Sequence, residues 1–204
     1  VLDYRAVANF EVDAHNSRVR TLWRDFYQTI NACNIVITKV PPIEMDELLQ
    51  NQLIAEARFF RALCYFELTR FFGDVPFHTE PVVDTGASNI PRTAPGEIYP
   101  LILEDLEYAE KHLVYESRLG GGFPYAMSAT ALMARVYLTI GVKEGNDTWL
   151  QNAVNNAKLV IPAFPLFDEY DDIFNLGNRS KGQRILEANF NATLRPGWKG
   201  NQVW

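Results

Sequence analysis

The chain has 204 residues, of which 48% are apolar and 13% aromatic, and a net charge of −6 from 19 Lys and Arg against 25 Asp and Glu. That is too apolar for a disordered protein and long enough to bury a core. The acidic balance, with no run of Lys or Arg, excludes an electrostatic grip on nucleic acid or on an anionic membrane surface. No stretch of about eighteen apolar residues occurs, so nothing reads as a bilayer-spanning helix. In chain order, residues 1–17 are polar and read as an irregular lead-in. From 18 to 40 a helix is marked by Trp23, Phe26, Ile30, Cys33, Ile37 and Val40 at steps of three and four, and Pro41-Pro42 ends it.

A second helix is expected over 46–72, with Asp46 as N-cap or first-turn acid and Gly73 and Pro76 as its stop. One stripe runs Leu49, Leu53, Ala57, Phe60, Cys64, Leu68, Phe71; a second, beside it, runs Ala55, Phe59, Ala62, Phe66. A helix covered on two sides is the centre of a packed all-α domain. Residues 74–94 have no period and read as a surface loop. Pro95 opens a third helix, expected over 96–113, with Ile98, Leu101, Ile102, Leu106, Ala109 and Leu113 as its apolar face.

Beyond Gly120-Gly121-Gly122, a fourth helix is expected over 127–141, carrying Ala131, Ala134, Val136, Tyr137 and Leu138 and stopping at Gly141. A fifth is expected over 148–161, with Leu150, Ala153, Val154, Ala157, Val160 and Ile161. From Pro162 onward the pattern reads as turns and one or two short extended pieces. The fold class is therefore all-α, with tetratricopeptide-like stacked helix pairs, long loops and few short strands. The division is one helical core over 1–204: lead-in 1–17, helical repeats 18–161, irregular end 162–204.

The wording of several blocks resembles one family. Ala55-Glu56-Ala57, Arg61-Ala62, Tyr65-Phe66, Leu68 and Phe72-Gly73-Asp74-Val75-Pro76 look like the hallmark helix and turn of the SusD/RagB outer-membrane nutrient-binding lipoproteins. Leu22-Trp23, Tyr27, Ile30 and Asn34 are similar to the family's N-terminal helix. Pro91-Arg92-Thr93 with Glu97-Ile98-Tyr99, Ala134-Arg135-Val136-Tyr137-Leu138, and Ala153 through Ile185 resemble three further blocks in the family's order. Gln183-Arg184 and Pro124-Tyr125 depart from it. Members are longer, so the chain is expected to be the N-terminal helical portion, with the C-terminal half of the family absent. Both ends, Val1 and Trp204, read as cuts.

The resemblance implies a non-catalytic glycan-binding protein at the bacterial cell surface, lipid-anchored to the outer membrane through a segment outside this chain. Its implied partner is a TonB-dependent, SusC-like outer-membrane transporter that receives the ligand. No cofactor or nucleic-acid partner is expected, and the lipid anchor is the one expected membrane contact. Peptide cargo, a generic helical scaffold and an α-helical glycoside-processing enzyme are the alternatives.

Residue by residue, Cys33 and Cys64 fall on apolar stripes and are expected as buried thiols. With His15, His78 and His112 they offer no zinc spacing, so no metal site is expected. Glu56, Arg58, Arg61, Glu67 and Arg70 read as ion pairs tying helices together rather than as a catalytic carboxylate pair, and no catalytic residue is assigned. Asp168, Glu169, Asp171 and Asp172 lack the glycine and closing glutamate of a calcium loop. Trp23, Tyr27 and Asn34 on the first helix could form a sugar platform, but Trp23 reads as core and Asn34 as an amide bonded to a neighbouring turn. The candidate ligand contacts are Trp198, Arg195 and Asn201. An indole between glycines, outside any apolar period, can stack on a sugar's C–H face while nearby Arg and Asn bond its hydroxyls. A Trp198 folded back onto the helices is the open alternative.

Overall fold

The computed structural model describes residues 2–13, 15–83, 90–114 and 123–178, together with Gly182, Ile185 and Leu186. Its elements are α1 (Leu2–Ala8), α2 (Ser17–Lys39), α3 (Glu47–Phe72), β1 (Val75–Pro76), β2 (Arg92–Thr93), α4 (Pro95–His112), α5 (Ala126–Glu144) and α6 (Asp147–Val160). Short 3-10 turns follow at Ile161–Ala163, Tyr170–Phe174 and Leu176–Asn178. Consecutive helices pack side by side, α2 on α3, α3 on α4, α4 on α5 and α5 on α6. The molecule is all-α, as the apolar periods imply.

Three of the long helices start where a side chain satisfies a free N–H group. Asn16 accepts from the Arg18 N–H at 2.9 Å to open α2, Asp46 from Leu49 at 2.9 Å to open α3, and Asn146 from Thr148 at 2.9 Å to open α6. At the far end of α3, Gly73 takes a positive φ of 69°, a conformation that a side chain would strain. With 26 residues, α3 is about 39 Å long and touches α2, α4 and α5.

The core is centred on α3. Ala55, Phe59, Ala62, Tyr65, Phe66 and Leu68 are at most 1% exposed and meet Ile30 of α2, Ile98, Ile102 and Leu106 of α4, and Ala129 and Val136 of α5. The second of the two α3 stripes is thus the deep one. In the first, Ala57, Cys64 and Leu68 are buried, but its ends, Leu49 and Phe71, are exposed because the neighbouring helices do not reach them. Cys33 and Cys64 are both buried and unbonded, and burial pushes their thiols up to about 11 and about 12.

Four expectations need correction. The lead-in contains a helix, α1, too short to show a period. The loop after α3 is not without order, since β1 pairs antiparallel with β2, Val75 opposite Thr93. Gly141 does not stop α5, which runs on to Glu144 and ends at Gly145 with φ 62°. Gly141 lies instead where α6 comes closest: a Cβ there would stand 2.7 Å from Leu150 Cδ2 and 3.0 Å from Leu150 N. Leu138, read as part of the α5 core face, is 52% exposed, and Leu132, Met133 and Ile140 fill that role.

Candidate functional site

Several polar residues in and beside this apolar core are brought together. On α2, Tyr27, Asn31 and Asn34 fall at i, i+4 and i+7, one above another; on α3, Arg61 and Tyr65 fall at i and i+4. The two sets face the same segment, residues 76–82, which follows β1 as an extended strap. The Tyr27 hydroxyl donates to the Pro76 carbonyl at 2.8 Å. The Tyr65 hydroxyl donates to the His78 carbonyl and accepts from the His78 N–H, both at 2.8 Å. Asn34 Nδ2 donates to the carbonyls of His78 and Glu80 at 3.1 Å each. Asn31 accepts from the Val82 N–H at 2.7 Å and donates back to the Val82 carbonyl at 3.4 Å. The strap's backbone groups, which a helix neighbour cannot pair in a ladder, are paired by side chains instead.

A buried ion pair holds this arrangement from below. Arg61 meets Asp105 of α4 through two parallel bonds, Nε to Oδ2 at 2.7 Å and a second guanidinium nitrogen to Oδ1 at 2.8 Å. The third guanidinium nitrogen donates to Asn34 Oδ1 at 2.9 Å and reaches the Thr79 carbonyl at 3.5 Å. Asp105 is fully buried, and Arg61 is 4% exposed. Burial disfavours charge on Arg61, and the bonds to Asp105 more than offset it, so the guanidinium stays charged. Arg58 adds a contact to Asp105 at 3.4 Å and one to Glu104 at 3.1 Å. Burial also pushes the Tyr27 and Tyr65 hydroxyls up, so both keep the proton they donate.

An extended chain turns alternate residues to opposite sides. Val75 is buried and Phe77 packs on the core against Tyr65, ring centroids 5.3 Å apart. Pro76, His78 and Val82 line the opposite side, where with Trp23, Tyr27, Gln28 and Asn31 of α2 they bound a groove of about 450 Å³. That volume falls in the range of about 300–1,000 Å³ usual for small-molecule sites. Trp23 is half-buried, its ring 4.9 Å from Tyr27 and 4.9 Å edge-on to Phe72. Tyr27 in turn meets the His78 ring edge-on at 6.0 Å. Burial lowers the His78 pKa and so favours the neutral imidazole, in which one nitrogen donates and the other accepts. Arg24 on the rim is paired with Asp25 at 3.0 Å. No carboxylate lines the groove.

A second hollow, of about 580 Å³, lies between Phe59 and Leu63 of α3, the faces of α5 and α6, and Ile185 with Leu186. Apart from Ser128 and Arg135 its walls are apolar.

The sequence candidates divide cleanly. Trp198, Arg195 and Asn201 lie outside the described residues. Trp23 packs on the core as expected and also opens onto the groove, and Asn34 bonds a neighbouring turn, the strap. Three pairs of the charged set tie helices together, Arg61 to Asp105, Arg58 to Glu104 and Arg135 to Glu67 at 3.2 Å, whereas Glu67 and Arg70, paired at 2.7 Å, are one turn apart within α3. Glu56 accepts from Gln52 at 3.3 Å. Among the described residues, no cluster of His, Cys, Asp and Glu could hold a metal ion.

This helical arrangement is matched elsewhere. A model of the SusD-like proteins, described as starch-binding and associating with the outer membrane, matches residues 4–138. The chain belongs to the SusD-like family. A SusD-like protein of Formosa agariphila is 33% identical over 94% of the chain. The chain spans 35% of that relative's length. The crystal structure of a SusD superfamily protein from Parabacteroides distasonis superposes with a TM-score of 0.84 at 29% identity, covering 93% of this chain and 41% of that one. A laminarin-binding SusD-like protein superposes at 0.77 with 30% identity, covering 89% of this chain and 40% of that one.

Proposed function

We propose that this SusD-like chain is part of a non-catalytic protein that captures a glycan at the bacterial cell surface and passes it to a SusC-like, TonB-dependent outer-membrane transporter. A lipid anchor outside the chain would hold it at the outer membrane. The observation that carries this reading is the similarity, at 30% identity and over 89% of the chain, to a structure whose protein binds laminarin.

In this reading Trp198 stacks on a sugar face, and Arg195 and Asn201 bond its hydroxyls. The test is calorimetry of the full-length protein with neutral oligosaccharides, followed by chromatography of the incubated sugar. Saturable binding with the sugar recovered intact is expected. Cleaved products would make the protein an enzyme, and tight binding of peptides with no binding of sugars would make the cargo a peptide.

A further inference from the structure

We propose that the groove between α2 and the strap is a subsite for a neutral pyranose chain, built by residues other than those of the 195–201 segment. It rests on the glycan-binding reading. Three observations carry it.

The first is the polar groups that the groove leaves unused. Around it, the hydrogen bonds that fix the strap are made by Tyr27, Asn31, Asn34 and Tyr65, with a longer one from Arg61 to Thr79. Among the described residues, the Trp23 indole N–H, the Gln28 amide and the His78 imidazole make no hydrogen bond. These are uncharged donors and acceptors beside aromatic carbon. A pyranose presents the complement, a ring of C–H groups for an aromatic face and hydroxyls that both donate and accept.

The second is charge. Among its lining residues the groove has no carboxylate for a cationic ligand and its Arg24 is already paired with Asp25, while Arg92, opposite Pro76, acts on the Tyr27 hydroxyl from outside the lining. Burial at His78 favours its neutral form.

The third is rigidity. Side chains from two helices fasten the strap from Pro76 to Val82, and the Arg61–Asp105 pair braces them, so the groove wall exists before a ligand arrives. A preformed wall avoids the ordering cost that weakens binding to flexible loops. The second hollow lacks the first of these: beside Ser128 and Arg135 its walls carry no polar side chain.

The test uses laminari-, xylogluco- and malto-oligosaccharides titrated calorimetrically into the full-length protein and three variants. Gln28 is exposed and unbonded, so Gln28→Trp fills the groove from its rim without touching the core. His78→Ala removes the imidazole but keeps the backbone bonds to Tyr65 and Asn34. Each is expected to weaken binding of the bound sugar about tenfold or more, the scale of a lost hot-spot contact, with an unchanged helical spectrum. Wild-type affinity in both variants, with a loss in Trp198→Ala, would overturn the subsite and leave the glycan reading standing. No binding of any of the three sugars by the wild-type protein would overturn both.

Discussion

The α2–α3–α4 side and the α5–α6 side of this chain are both helices packed on one core, yet different forces fix them. On the first, position is set by directed polar bonds: a bidentate ion pair, a bridging amide and two tyrosine hydroxyls, all aimed at one strap. On the second it is set by close approach. Gly141 lets Leu150 in, Ala129 and Ala153 are buried, and Tyr137 stacks on Trp149 at 5.6 Å and 16°. Directed bonds can hold a non-helical segment in one conformation, and steric fit between helices cannot. The groove accordingly lies on the polar side.

That contrast can be broken from either side, and the largest effect is expected at the ion pair. Asp105→Ala leaves Arg61 charged and buried without its partner, which typically costs about 3–5 kcal/mol. Urea unfolding measures it. Replacing both residues, Arg61→Met with Asp105→Leu, should recover much of that stability, because no buried charge is left alone. The close-packed side should respond to volume instead. Gly141→Ala places a Cβ against Leu150 and should cost about 1–3 kcal/mol by overpacking, read as a lower melting temperature. Adding Leu150→Ala should then relieve part of the loss.

Smaller effects sharpen the picture at the helix ends and surface. Asp46→Ala removes the cap on α3 and should cost about 1 kcal/mol in the same unfolding assay. Glu67→Gln breaks two partly exposed ion pairs, to Arg70 and Arg135, and should cost less than about 1 kcal/mol. The smallest expected effect is none: iodoacetamide at pH 8 should leave Cys33 and Cys64 unmodified until urea unfolds the chain. Both thiols are buried and pushed well above that pH. Rapid alkylation of the native protein would show that the α2–α3 seam opens.

The helices were legible because burial of a helix face leaves a period in the sequence. Phe59, Ala62 and Phe66 announce α3 without any knowledge of its neighbours. The strap was not, because its bonds join residues 13 to 51 positions apart and no local pattern records them. A trace existed all the same. Asn31 and Asn34 on the inner side of α2, and Arg61 within the apolar run of α3, are polar residues that a core admits only when they are satisfied. Gly141 was misread for a related reason, since a glycine that ends a helix and one that admits a neighbour look alike in sequence. Of the site, Trp23, Tyr27 and Asn34 were legible on α2. Gln28 and His78 were not, for an exposed amide and a lone histidine carry no signal until the strap brings them together.

Hydrogen–deuterium exchange of the full-length protein with and without saturating oligosaccharide tests most directly whether the polar side carries the ligand. The account predicts slower exchange in peptides covering Trp23–Asn31 and Pro76–Val82, with α5 and α6 unchanged. Protection confined to α5 and α6, or bound sugar with no change across the strap, would contradict it.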